Sequence, residues 1–128
     1  MRLLLDTHSF LWFLLDAPQL SATAKAVIAD PNNDVEISPA SYWEIAIKIS
    51  LGKYALPESY QAFMEREIAA NQFRVLRIEP RHTAVLTTLP FHHRDPFDRL
   101  LVAQAIAEQV PIVSSDRALD AYAVRRLW

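Results

Sequence analysis

Four acids stand out in this chain by where they fall. Asp6 directly follows the apolar run Arg2-Leu3-Leu4-Leu5, and Glu44 lies within Trp43-Glu44-Ile45-Ala46-Ile47-Lys48. Asp98 closes Asp95-Pro96-Phe97-Asp98, and Asp116 closes Ile112-Val113-Ser114-Ser115-Asp116. Each has an ordinary structural use. Aspartate is a good N-cap, which would account for Asp6, Asp95 and Asp116. An acid early in a helix, as Asp98 would be, is favoured by the positive helix N-terminus. Glu44 has capping-box spacing from Ser41 and i,i+4 spacing to Lys48. Pro39, however, makes Ser38 the better cap and leaves Glu44 a turn too deep, and a surface pair with Lys48 is worth only about 0.3–0.5 kcal/mol. Asp98 shares a helical face with Leu101, Val102 and Ala105, so it looks inward, and an inward acid needs a partner.

Gathered together, such acids would push one another's pKa values up unless a cation compensated them. Hard divalent ions that favour oxygen ligands, Mg²⁺ or Mn²⁺, supply that compensation. A carboxylate-held ion of this kind activates water and steadies the leaving oxygen of a phosphodiester. Composition closes other routes. With no cysteine, there is no disulfide scaffold, thiolate zinc site or cysteine nucleophile. The single glycine, Gly52, rules out a P-loop and a dinucleotide fingerprint, so side chains or metal ions must handle any phosphate. The net charge of −2 looks wrong for a nucleic-acid binder, but setting the four acids aside as ligands leaves a basic surplus.

The elements that would position these residues follow from apolar periodicity. Strands are expected at Arg2–Leu5, 35–38, 73–78, 110–113 and 123–127. Helices are expected just past Asp6, over 21–29 with Ser21 as cap, from Pro39 to Gly52, over 57–71, over 79–89, and from Asp95-Pro96 to about Gln109. Strands alternating with helices imply an α/β fold with a mostly parallel sheet covered on both faces. At 128 residues and 52% hydrophobic, the chain is expected to form one domain over residues 1–128. No apolar run would span a bilayer, and Asp6 interrupts what a signal peptide would keep apolar, so a cytoplasmic protein without a membrane partner is expected. Ligands of parallel sheets gather at the carboxyl ends of the strands, which points to Asp6 and Asp116. Adjacent first and fourth strands would bring these side by side, with helix starts supplying Asp98 and Glu44.

In this order, Asp6-Thr7-His8, Trp43 to Lys48, His93-Arg94-Asp95-Pro96-Phe97-Asp98-Arg99-Leu100-Leu101 and Ser114-Ser115-Asp116 resemble the PIN-domain ribonucleases. The likeness is to the VapC-type toxins of prokaryotic toxin–antitoxin pairs in particular, and it covers essentially the whole chain. The third block, continuing into Val102-Ala103-Gln104-Ala105, is the most specific. The resemblance implies a three-layer α/β/α sandwich and an endoribonuclease that uses carboxylate-held Mg²⁺ or Mn²⁺ and an activated water. Carried over by position, Asp6, Glu44, Asp98 and Asp116 are the catalytic, metal-holding quartet. Asp95, an extra acid of the Asp-Pro-Phe-Asp subgroup, is a cap or supports the ligands from behind. Ser114, where relatives usually have threonine, orients Asp116 or the water. Lys48 holds Glu44 or reaches substrate. Where some members carry a further acid, this chain has Ala118, which bears on whether a second ion is held. The implied partners are RNA, a second copy of the chain, and a small antitoxin laid into a hydrophobic groove. Phe10, Trp12, Phe13 and Trp43 are offered to that groove, against the ordinary reading that most of them are core.

His8, His92 and His93 are read as local hydrogen-bonders or phosphate contacts ahead of metal ligands, since no pair has zinc-site spacing. His92 and His93, beside Arg94 and Arg99, form a phosphate-contacting cluster. Arg74, Arg77 and Arg81 read as a solvated face. A receiver-like signalling domain fits poorly, because the first strand ends in Asp6-Thr7 and the second in Ser38 where acids are wanted. An aspartyl phosphatase wants a second aspartate where His8 stands. A non-catalytic PIN-like module that only binds RNA or a partner is the remaining alternative.

Overall fold

The computed structural model describes residues 1–128. Five strands, β1 (Arg2–Leu5), β2 (Asp34–Ile37), β3 (Arg74–Val75), β4 (Ile112–Val113) and β5 (Arg126–Leu127), form one sheet in the order β3-β2-β1-β4-β5. Every pairing is parallel. The helices are α1 (Thr7–Leu14), α2 (Ala22–Ala29), α3 (Pro39–Ser50), α4 (Tyr60–Ala70), α5 (Pro80–Leu86) and α6 (Pro96–Glu108).

Side chains alternate across the central strand, and this alternation makes two cores. Leu3 and Leu5 of β1 face Phe10 and Leu11 of α1, Ala24 and Ile28 of α2, and Phe63 and Met64 of α4. Leu4, one residue out of phase, faces Leu101, Val102 and Ala105 of α6. The result is the three-layer α/β/α sandwich that the resemblance implies. Helix α3 belongs to both layers, with Ile45 in the first core and Ala40 in the second, and it packs on both α1 and α6. It therefore crosses the carboxyl end of the sheet rather than lying along one face.

The elements fall where periodicity predicts, with shorter ends. Ser21 and Ser38 cap α2 and α3 through their hydroxyls, and Gly52 follows α3 at φ +74°, the left-handed stop that a side chain would resist. The strand expected over 73–78 contracts to two exposed residues, and those expected over 110–113 and 123–127 contract to two residues each. β3 and β5 are edges, paired on one side only, so apolar alternation there outruns the ladder. The helix expected over 57–71 begins at Tyr60, and the one over 79–89 ends at Leu86.

At the amino end of the sheet, a polar cluster ties the layers together. Arg2 donates to both Glu36 oxygens at 3.0 Å and to Glu108 at 2.9 Å. Glu108, at the end of α6, also meets Arg81 and the fully buried His82, the latter at 2.9 Å. No helix is long and apolar enough to cross a membrane.

Candidate active site

At the carboxyl end of β1, the chain turns directly into α1, and Asp6 occupies the junction. One of its oxygens caps the helix, accepting from the Ser9 amide at 2.8 Å, and the residue is almost fully buried. Its own amide donates to the Val113 carbonyl at 3.1 Å, and the Ser9 hydroxyl reaches the same carbonyl at 3.0 Å. Those bonds lock the start of α1 against the end of β4. Three residues further on, Asp116 caps a 3₁₀ turn over Arg117–Ala121, accepting from the Ala118 amide at 3.0 Å. The buried Ser114 hydroxyl accepts from the Asp116 amide at 3.0 Å, fixing the backbone there. The β1–β4 pairing thus makes neighbours of two acids more than a hundred residues apart in the chain.

Two helix starts complete the ring. Asp95 caps α6, with one oxygen accepting from the Phe97 and Asp98 amides at 2.8 and 3.2 Å. Asp98, at the third helical position, turns toward the strand ends. Glu44 stands a turn inside α3, which the Thr7–Ser41 hydroxyl bond at 3.2 Å holds against α1. Glu44 is only 6% exposed, and its Oε1 is buried with no hydrogen-bond partner.

The electrostatics describe a site short of positive charge. Burial, then the charges of Asp95, Asp6 and Glu44, push the Asp98 carboxyl up to about 7, against a smaller opposing effect of His93. Asp116 goes the other way. Burial would raise it, but the His93 hydrogen bond, the Ala118 amide and the charges of His93 and Arg126 together outweigh burial and hold it low. Tyr54 is also raised, by burial and by the charge of Glu44, which puts its phenol beside the same cluster. An orphaned buried carboxylate oxygen next to a carboxyl that resists ionising is what a divalent cation relieves. An oxygen-rich donor set of this kind fits Mg²⁺ or Mn²⁺.

Comparison with known proteins identifies the frame. The profile of the PIN domain family matches residues 3–125. This chain is a PIN domain. It is similar to Ribonuclease VapC16 of Mycobacterium tuberculosis (strain ATCC 25618 / H37Rv), with 34% identity over 71 residues. That match takes in 52% of this chain and spans about half, 50%, of the relative's length. The fold is shared with VapBC2 of Rickettsia felis bound to a promoter DNA fragment, at TM-score 0.74 and 16% identity over 98% of this chain and 97% of that one. FitAcB of Neisseria gonorrhoeae superposes at TM-score 0.66 and 16% identity over 97% and 95%. VapBC-1 of nontypeable Haemophilus influenzae does so at 0.62 and 15% over 98% and 96%.

In this PIN domain, several sequence expectations change. Arg99 is not free for phosphate. It is buried, donating to the Pro90 and Leu89 carbonyls at 2.9 and 3.1 Å, with Phe91 stacked 3.9 Å over its guanidinium. It closes the loop ahead of α6 instead. The i,i+4 pair of Glu44 with Lys48 does not form, because Glu44 turns into the cluster while the Lys48 ammonium has no carboxylate at ion-pair distance. Phe10 is fully buried in the first core, so it lines no groove. Trp12 and Phe13 are half-buried against that core, and Trp12 lies between His8 and Trp128. Trp43, 62% exposed and edge-on to Phe97 at 5.3 Å, is the open aromatic of the four. A cleft of about 550 Å³ runs by Phe13, Ile28, Val35 and Phe73, near the amino ends of β2 and β3 and away from the acids.

Of two further neighbours of the acids, sequence reasoning misses Tyr54 altogether and names His93 without its contact. Tyr54 carries no signal, being an aromatic in the loop after Gly52. His93 had one, its place two residues before Asp95, but nothing local says that it reaches Asp116, which its Nε2 meets at 2.7 Å. His8 is a hydrogen-bonder, but not a local one: its Nε2 lies 3.3 Å from the hydroxyl of Tyr54, 46 residues further along the chain. Arg74 and Arg81 are tied up by Asp34, Glu79 and Glu108.

Proposed function

We propose that this PIN domain is a divalent-cation-dependent endoribonuclease, the toxin of a toxin–antitoxin pair acting in the cytoplasm. The observation that carries the reading is the unrelieved acidic cluster at the strand ends, with Glu44 Oε1 orphaned and Asp98 driven up to about 7. Asp6, Glu44, Asp98 and Asp116 would hold Mg²⁺ or Mn²⁺. When bound, such an ion supplies positive charge for a scissile phosphate and lowers the pKa of a water.

The chain's own groups do the rest. Asp6 is pinned by the Ser9 amide, so its other oxygen keeps one orientation, and Asp116 is oriented at both oxygens, by the Ala118 amide and by His93. Ser114 holds the Asp116 backbone, and Asp95 holds the first turn of α6 and so the direction of Asp98. Lys48, on the same helix as Glu44 and without an acid partner, is available to a phosphate oxygen. The name of the similar ribonuclease and the two-component complexes among the fold's relatives support an RNA substrate and a small protein antitoxin. Half-buried Trp12 and Phe13 and exposed Trp43 are the aromatics left to serve such a partner or a second copy of the chain.

The test is cleavage of a structured RNA mixture by the partner-free protein with Mg²⁺, with Mn²⁺, and with EDTA. Cutting should require the cation and fall below detection in Asp6→Asn and in Asp98→Asn, both of which should stay folded. Cutting that survives in both variants would rule out the assignment. Cation binding without cutting of any RNA would favour a module that only binds.

A further inference from the structure

We propose that Phe91 is a stacking platform for an unpaired base of the RNA strand, with Arg94 beside it to meet the strand's phosphate. This rests on the reading of the acids as an RNA-cleaving site and names a residue by which that site would select its substrate. Phe91 is 83% exposed, more than any other large apolar residue of the chain. A single exposed apolar side chain is ordinary on a protein surface. What sets Phe91 apart is how it is held.

Its ring lies over the Arg99 guanidinium, 3.9 Å from the ring centre. That guanidinium is buried and fixed in turn by the Pro90 and Leu89 carbonyls, at 2.9 and 3.1 Å. Just past Phe91, the His92 and His93 amides both donate to the buried Tyr122 hydroxyl, at 3.1 and 2.9 Å. Bonds on either side therefore fix the loop, and the ring turns one face to Arg99 and the other to solvent. A flat apolar face already ordered before binding is what stacking uses, and every base has a π-face to lay on it. A paired base has both faces covered by its neighbours in the helix, so the platform favours an unpaired strand.

Charge around the ring matches a nucleic acid better than an apolar protein surface. Arg94 is exposed and makes no ion pair, although Asp95 is its neighbour in the chain. His92, on the other side of His93, is exposed as well. An apolar partner laid on Phe91 would cover these polar groups without pairing them, whereas a strand offers a base to the ring and phosphates to its rim. The acids are close by. The Cα atoms of Phe91 and His93 are at most about 7 Å apart. The His93 ring reaches Asp116 at 2.7 Å, and Arg99, under the platform, adjoins Asp98 in α6.

Fluorescence anisotropy of a labelled oligouridylate with the full chain in EDTA tests the platform without any cutting. The single strand should bind more tightly than the same strand paired with oligoadenylate. Phe91→Ala should weaken the single strand about tenfold or more and leave the duplex as it was. Phe91→Tyr should restore the affinity, whereas Phe91→Leu, apolar but not flat, should not. Arg94→Gln should flatten the dependence of log affinity on log salt by about 0.7, a slope that Phe91→Ala leaves alone. Equal affinity in wild type and Phe91→Ala, rescue by leucine, or no binding of either RNA would overturn the proposal. So would a dimer in sedimentation that Phe91→Ala dissociates while RNA binding stands, since the ring would then serve a protein contact. Cutting separates the two readings. Binding through Phe91 with no cleavage in Mg²⁺ or Mn²⁺ keeps the platform and removes the nuclease, and cleavage that Phe91→Ala leaves untouched does the reverse.

Discussion

Asp98 has its proton affinity set by residues far from it in the chain. Burial and the charges of Asp95, Asp6 and Glu44 carry it from an ordinary 3.8 to about 7. A carboxyl raised in this way binds its proton more tightly folded than unfolded, so it opposes stability progressively as pH rises from about 4 to about 7. In EDTA, the Tm of the wild type should therefore decline across that window, and Asp98→Asn should remove most of the decline. Adding Mn²⁺ at neutral pH should restore the wild-type Tm and leave that of Asp98→Asn little changed. Parallel melting curves for the two proteins in EDTA would mean that the acids do not act on one another.

The start of α6 shows one acid serving two ends. Pro96 suits the first helical position, and Asp95 satisfies two amides that the helix leaves open. The same carboxylate adds to the charge that Asp98 must tolerate. Asp95→Ala should cost about 1 kcal/mol in urea unfolding, whereas Asp95→Ser, which keeps a cap, should cost only a few tenths. Equal losses would mean that the cap contributes nothing beyond its charge. The caps Ser21, Ser38 and Asp95 and the stop at Gly52 are legible in the sequence because each depends on residues within a turn of it. The lengths of β3 and β5 are not, because a ladder ends where its neighbour ends.

A parallel sheet has two chemically different ends, and this molecule uses both. Acids crowd the carboxyl end, where Glu44 keeps an unpartnered oxygen and Asp98 is pushed up, and at the amino end Glu108 is surrounded by donors. Burial would raise Glu108, but bonds from His82, Arg2 and Arg81 overcome it and bring the carboxyl from 4.5 down to about 2. A depressed carboxyl contributes stability that is present above its ordinary range and lost as pH falls through the folded value. Glu108→Gln should lower the Tm at neutral pH and flatten the acid limb between about 4.5 and 2, followed by circular dichroism. An unchanged acid limb would place the acid sensitivity elsewhere.

Residue type and local spacing by themselves determined the alternation of strand and helix, the caps, and the acids at strand ends and helix starts. Those features depend on backbone preference and apolar period, which act over a few residues. Whether a side chain reaches its partner was decided by the tertiary structure alone. Arg99 turned to the carbonyls of the preceding loop, Phe10 went wholly into the core, and Glu44 faced the cluster instead of Lys48. His93 met Asp116 across 23 residues because Tyr122 holds its loop. Such contacts depend on how α3, the loop before α6 and the end of β4 converge at one edge of the sheet, a convergence set by the packing of both cores together.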